Sequence, residues 1–455
     1  MASATTKDMT HGVPWRLIAG FAIPVFLSQL FQQLYNTADS LIVSNFLGDN
    51  ALAAVSASGP LIFLLISFFA GAASGVGVAI ARYFGAGDYD KVSRTVHTAV
   101  LLGLISSLIL TVIGVLFTPT LLLWMDTDPE VLPDAIGYFR CYFAGVGAGV
   151  MYNTFTGIMN ALGDSKRPLY FLLVASFLNI GLDLLCIITF KMGVFGAAFA
   201  TVFSQAVAGL GSLWYILKHY NELRWNKEES RLSRQHCVKL CGMGIPMGLQ
   251  CSITAIGSVV LQGAVNGLGS DIVAAQTAGG KAAQFLSVPL ESIGTAMTTY
   301  ASQNMGAHDL NRVNKGVNTA LGIGCVYSVA SFLILRVLDK ALIGLFLESS
   351  QTEIMANAQS FIFWNSVFYI PLAVLIIYRY TIQGLGYSSL AMFAGVAEMI
   401  ARALVGFLFV PLWGYFAACI ANPVAWFFAC FFLIPAYIVV FRKLKQEKAR
   451  PHANL

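Results

Sequence analysis

Twelve apolar runs follow one another along this chain, each reaching the roughly 20 residues that a helix needs to cross a bilayer core. They cover residues 15–46, 53–84, 95–124, 134–160, 168–190, 194–219, 238–267, 273–304, 314–346, 355–383, 387–409 and 413–441. Hydrophobic residues make up 57% of the chain and charged residues 11%. So little charge cannot cover a water-soluble body, and a disordered chain would be charge-rich and apolar-poor. The predicted fold is an all-α polytopic membrane protein with twelve transmembrane helices. Residues 1–14 hold no apolar core and no small-residue cleavage site, so the first run is expected to remain a membrane helix.

Basic residues set the orientation, because cytoplasmic loops carry their excess. Of the 27 Lys and Arg residues, 21 fall on one side when the N-terminus is placed inside, and Arg379 is counted among them. Lys191, Arg336 and Lys340 fall outside, while Arg140, Lys281 and Arg402 lie within spans. Both termini are therefore expected in the cytoplasm, in a protein of a bacterial or archaeal cytoplasmic membrane. Bases scattered between apolar runs offer no face for nucleic acid. The eight cysteines lie mostly inside apolar runs and read as reduced. His236, Cys237 and Cys241 lack a fourth ligand, so no metal site is expected there.

The chain repeats itself at an offset near 221 residues. Asn45, Leu47, Gly48, Ala53, Ala54 and Ala57 match Asn266, Leu268, Gly269, Ala274, Ala275 and Ala278; Gly85, Ala86, Asp88 and Val92 match Gly306, Ala307, Asp309 and Val313; Pro24 finds Pro246. Six helices per repeat make the halves parallel, related by a pseudo-twofold axis along the membrane normal, and transporters built this way alternate access by rocking. The expected plan is a cytoplasmic N-terminus (1–14), an N-lobe of helices 1–6 (15–219), a cytoplasmic linker (220–237), a C-lobe of helices 7–12 (238–441) and a cytoplasmic tail (442–455).

An ionisable group inside a span costs about 2.5–3.5 kcal/mol on insertion scales, so each one carries a functional hypothesis. Asp39 sits on a polar stripe of helix 1 that includes Asn36, at helical steps of three and four. Helix 5 carries Ser176, Asn179 and Asp183 in the same spacing, and helix 6 carries Thr201, Ser204 and Gln205. These stripes are expected to share a cavity, with Arg140 of helix 4 at similar depth as counter-ion or as an outward-snorkelling residue. Two carboxyls in one low-dielectric cavity suit a proton carrier, and with Asn179 and Thr201 offering oxygens they also suit Na⁺. The acids are not duplicated: Val260 and Leu404 stand one repeat further on. The second half carries Lys281 and Glu291 on helix 8 and Glu398 with Arg402 on helix 11, read either as self-neutralising structure or as part of a substrate cavity.

Pro24, Asp39, Gly48 and Ala53-Ala54, with Gly85-Ala-Gly-Asp88, Ala161-Leu-Gly-Asp-Ser165, Asn179, Asp183 and Gly193 to Ala198, make the chain resemble the multidrug and toxic compound extrusion (MATE) family over nearly its whole length. The resemblance is to its DinF-like branch, since the NorM-like branch adds acids in helices 7 and 10. It implies an N-lobe cation site at Asp39, Asn179, Asp183 and Thr201, an amide from Asn153, and a helix 1 that bends at Pro24. It implies antiport: H⁺ or Na⁺ enters at the N-lobe acids and an organic cation, drug or other amphiphile leaves, with no other cofactor and no catalytic chemistry. The protein is expected to act as a monomer among membrane lipids. A flippase or exporter for lipid-linked saccharides or metabolites, of the same superfamily, is the alternative. The segment Gly85 to Arg94 reads GAGDYDKVSR, which does not fit the major facilitator motif.

Overall fold

Glycines at positive φ punctuate the chain: Gly48, Gly163 and Gly193 in the first half, Gly269, Gly386 and Gly414 in the second, with φ between 59° and 106°. A side chain resists this left-handed backbone, and glycine adopts it freely. In the computed structural model, residues 8–57, 59–125, 127–220, 223, 234–344 and 352–449 are described. The predicted linker lies largely outside these residues, as do Asp126 and the end of the tail.

Between the punctuation marks run twelve helical spans. They are α1 (Pro14–Leu47), α2 (Asp49–Ala57 and Gly59–Gly85), α3 (Tyr89–Trp124), α4 (Leu132–Ala144 and Val146–Ala161), α5 (Lys166–Leu184, then a π-turn Leu185–Thr189) and α6 (Gly193–His219). The second half gives α7 (Arg234–Asn266), α8 (Ser270–Gly306), α9 (Leu310–Ile343), α10 (Thr352–Val367 and Tyr369–Gly384), α11 (Ser388–Leu404, a π-turn Val405–Phe409, then Val410–Trp413) and α12 (Tyr415–Ala449). Each predicted span corresponds to one of these. The largest shift at a start is in α3, which begins at Tyr89 because the Asp88 side chain caps it, accepting from the Lys91 N–H at 3.1 Å. The charged first turn hides this start from an apolar-run reading.

The two halves repeat in detail. Asp309 caps α9 as Asp88 caps α3, accepting from the Arg312 N–H at 3.0 Å. The break in α4 at Gly145 is matched by the 53° bend in α10 between Val367 and Tyr369, and the π-turn of α5 by that of α11. Gly145 is required where it stands, because a Cβ there would run into the Val202 side chain of α6.

Nine of the described helices are long and apolar enough to cross a membrane, and ten with the bent pair of α10 counted as one. The other two spans, α4 and α8, fall short for local reasons. α4 is interrupted, and α8 carries polar side chains that point into the bundle. Ser302 donates to the Gly384 carbonyl at 2.9 Å and Thr298 to the Tyr380 carbonyl at 3.2 Å, so α8 and α10 are joined by hydroxyls at close range. Outward faces are apolar instead: Leu108, Leu116, Phe177, Val326, Phe407 and Phe431 are all exposed. Such continuous exposed apolar surface belongs against lipid, and the chain is a multi-pass membrane protein.

By internal contacts the chain forms two compact units. One runs from Leu27 to Gly244; the other takes Met9–Phe26 together with the chain from Ile245 onward. Both changes of unit occur inside a helix beside a helix-interior proline, Pro24 in α1 and Pro246 in α7. Proline removes one backbone hydrogen bond and crowds the preceding turn. In the second unit Met9 is fully buried: its N–H donates to Gln303 at 2.8 Å and its carbonyl accepts from Asn304 at 3.2 Å.

Candidate functional site

In the first unit, α5 turns Asn179 and Asp183 inward one helical turn apart, and neither has any exposed surface. The π-turn begins two residues beyond Asp183. An inserted residue of this kind re-aims the helix end, and such turns gather at functional sites. From α6, Thr201 meets this pair: the Asn179 side-chain amide donates to the Thr201 hydroxyl oxygen at 3.3 Å. From α1, Asp39 brings its carboxyl close enough to Asp183 for the two to interact directly. Among the described residues neither oxygen of Asp183 meets a hydrogen-bond donor, and the Asn179 amide oxygen and one oxygen of Asp39 are equally unmet. The site is a buried set of oxygens that meets no donor among the described residues.

Asp39, Asn179, Asp183 and Thr201 are thus brought together. Gln205 stands next to it, reaching the Tyr35 hydroxyl. Asn153 is turned elsewhere, its amide donating to the Gly149 carbonyl of its own helix at 2.9 Å, and Asn36 is exposed. Arg140 is not the counter-ion. Its side chain is exposed while Tyr138, Phe139 and Tyr142 of the same helix are buried, because a residue two positions on lies about 200° around a helix. Tyrosines stand there instead: Tyr35 and Tyr138 lie within electrostatic reach of both acids, and Tyr142 neighbours the two tyrosines. Their signal was present in the sequence, since Tyr35 precedes Asp39 by one turn and Tyr138 precedes Tyr142 by one turn, but an aromatic on a membrane helix reads first as packing.

The second unit builds a different polar centre. Arg379 of α10 is a buried residue inside a span, not a cytoplasmic loop base, and it forms an ion pair with Glu398 of α11. Arg402, one turn from Glu398, reaches the other carboxylate oxygen at 3.4 Å. The Arg402 Nε–H donates to Asn422 of α12 at 3.2 Å, and the Asn422 amide donates to Asn365 of α10 at 3.2 Å. Glu291 of α8 accepts from the Tyr380 hydroxyl at 2.7 Å. Lys281 lies on the wall of a cavity of about 260 Å³ that Gln276 and Asn422 also line. The Glu398–Arg402 pair read from the sequence is real but incomplete, since Arg379 completes it.

A duplicated set of membrane helices with an acid pair buried in one half and an arginine network in the other defines a membrane transporter. A family model described as MatE matches residues 24–185 and 246–408, and the chain belongs to that family. It is 28% identical over 77% of its length to the probable multidrug resistance protein YoeA of Bacillus subtilis, covering 78% of that protein. It is 25% identical to the FAD transporter of Shewanella oneidensis, with 80% of each chain covered. Among solved structures it superposes with a TM-score of 0.91 on MATE in complex with MaL6, at 24% identity, covering 97% of this chain and 100% of that one. An outward-facing multidrug resistance MATE family transporter also gives 0.91 at 24% identity, covering 98% of this chain and 100% of that one.

Proposed function

We propose that this transporter is an antiporter that takes up H⁺ or Na⁺ at Asp39 and Asp183 and exports drugs or other amphiphilic compounds across a prokaryotic cytoplasmic membrane, with both termini inside. The observation that carries the reading is the Asp183 carboxyl, buried with both oxygens unmet and facing Asp39. Two carboxyls so placed cannot both stay ionised without a partner, so a proton shared between them or a cation held by them stabilises the site. Asn179 and Thr201 add neutral oxygens of the kind a hard cation prefers. Loading changes the charge of the first unit by one, and a conformational equilibrium responds only to such a difference between states. Pro24 supplies the flexible point in α1, two residues from where the chain changes unit. The relatives that bear the names of multidrug resistance proteins and of an FAD transporter support export as the direction and amphiphilic solutes as the cargo. The pattern of N-lobe acids is DinF-like.

The test is reconstitution in liposomes, following a fluorescent organic cation under an imposed pH gradient or an imposed Na⁺ gradient, with Asp39→Asn and Asp183→Asn beside the wild type. Movement driven by one gradient and abolished in both variants names the ion. Movement in neither gradient, or variants that match the wild type, would overturn coupling through these acids and bring the saccharide flippase forward.

A further inference from the structure

We propose that Arg402 is a tethered cation: its guanidinium fills, in the second unit, the place that corresponds to the ion site of the first, so that this copy of the site takes up no ion. The inference rests on the ion-uptake reading of Asp39 and Asp183 and confines exchange to that one site.

The correspondence is one of helices, of positions and of hydrogen bonds. The acids and amide of the first unit are carried by α1 and α5 and meet α6, and the repeats of these helices are α7, α11 and α12. Gly193 and Gly414, both at a φ of 59°, open α6 and α12 at an offset of 221, and the same offset carries Thr201 onto Asn422. Thr201 accepts from the Asn179 amide at 3.3 Å, and Asn422 accepts from the Arg402 Nε–H at 3.2 Å. The donor from α5 is an amide, and the donor from α11 is a guanidinium. Gly163 and Gly386, which precede α5 and α11 at positive φ, lie 223 residues apart, and so do Asn179 and Arg402. On α7 the guanidinium lies beside Gly257, where a Cβ would stand 3.5 Å from the Arg402 Nη1 and 3.0 Å from the Met399 Cα. Glycine lets α11 and its arginine come this close to α7. Gly257 is one turn before Val260, the residue one repeat on from Asp39.

Charge agrees with position. Val260 and Leu404 give the second copy no carboxylate where Asp39 and Asp183 supply two. Its acids are instead Glu398, which pairs with Arg379 and which Arg402 reaches at 3.4 Å, and Glu291, within electrostatic reach of Arg379. Two carboxylates thus stand against two buried guanidiniums. Without Arg402 one negative charge would be left over in a low-dielectric interior, which is costly unless a cation replaces it. A side chain that cannot leave holds that charge constant between conformations, whereas an ion that binds and departs changes it.

The test is the melting temperature of the full-length protein in detergent, in NaCl against choline chloride at equal ionic strength. Asp39→Asn and Asp183→Asn are present throughout, so that the first site is silent. This background alone, and with Arg402→Lys, should melt alike in the two salts. Adding Arg402→Ser should bring a saturable rise of about 1–3 °C in Na⁺, as expected when the ion exceeds its dissociation constant about tenfold. Asn422→Ala on top should remove most of that rise. Indifference of folded Arg402→Ser to Na⁺, a rise unchanged by Asn422→Ala, or a rise already present with Arg402 in place would overturn the tethered cation. If Arg402→Ser does not fold, methylguanidinium during purification should restore Arg402→Ala to a folded peak in size exclusion, and methylurea, its neutral analogue, should not. Restoration by both or by neither would overturn the proposal. Loss of coupled export in liposomes with Arg402→Ser still responding here places the error in the first unit, and the converse places it in the second.

Discussion

Arg379 and Glu398 form an ion pair between α10 and α11, buried inside the second unit, with Arg402 on the second carboxylate oxygen. Deleting the shared acid therefore strands two guanidiniums in a low-dielectric interior. Glu398→Gln should destabilise the protein by about 3–5 kcal/mol, the cost of an uncompensated buried charge. Thermal melting in detergent measures this, and Arg379→Leu combined with Glu398→Leu should recover part of the loss. A melting temperature unchanged by Glu398→Gln alone would rule the pair out as a support.

The contact between Asn179 and Thr201 is a neutral hydrogen bond at 3.3 Å, so its removal should be milder than loss of either acid. Thr201→Val should slow ion-driven transport by about two- to tenfold, the worth of one such bond at 0.5–1.5 kcal/mol. Initial rates in proteoliposomes against Asp183→Asn make the comparison.

Gly75 lies where a Cβ would stand 2.6 Å from the Gly244 Cα and from the Met243 carbonyl oxygen, whereas nothing lies within 4 Å of a Cβ at Gly137. The first obstacle is backbone and cannot swing aside. Gly75→Ala should cost about 1–3 kcal/mol, as overpacking does, and Gly137→Ala should be nearly silent. Folded yield by fluorescence-detected size exclusion separates them.

His308 holds a φ of 57° at the position where the first repeat has Gly87 at 71°. A side chain in this region is strained, and His308→Gly should stabilise the protein by about 0.5–1 kcal/mol, the relief being partly offset by glycine's freedom when unfolded. The backbone contact from Lys448 to the His308 carbonyl survives the change. A lower melting temperature in the variant would contradict the prediction.

Asp88 caps α3 at its membrane boundary, where its hydrogen bond with Lys91 holds its carboxyl below the usual carboxylate range. A lowered folded value means the contribution is complete above the ordinary pKa of about 3.9 and is lost as pH falls through the folded value. Asp88→Ala should cost about 1 kcal/mol near neutrality, as loss of an N-cap does. Melting curves of wild type and variant should converge at the acid end.

The sequence by itself determined the twelve spans, the duplication and the identity of the N-lobe acids. Apolar length, a fixed offset and rare charges are all properties of the chain read in one dimension. The same reading lost Arg379, because an arginine near the end of a span looks like a loop base until a carboxylate on another helix is found opposite it. For Arg140 it left two readings open, counter-ion or outward-snorkelling residue, and the exposed side chain fits the second. Tyr35, Tyr138 and Tyr142 were visible and uninterpretable, since whether an aromatic packs or lines a site depends on what faces it. Only the tertiary structure decided these points. Pairing, facing and burial are relations between helices distant in sequence, and a helix specifies which residues share its side but not what it will meet there.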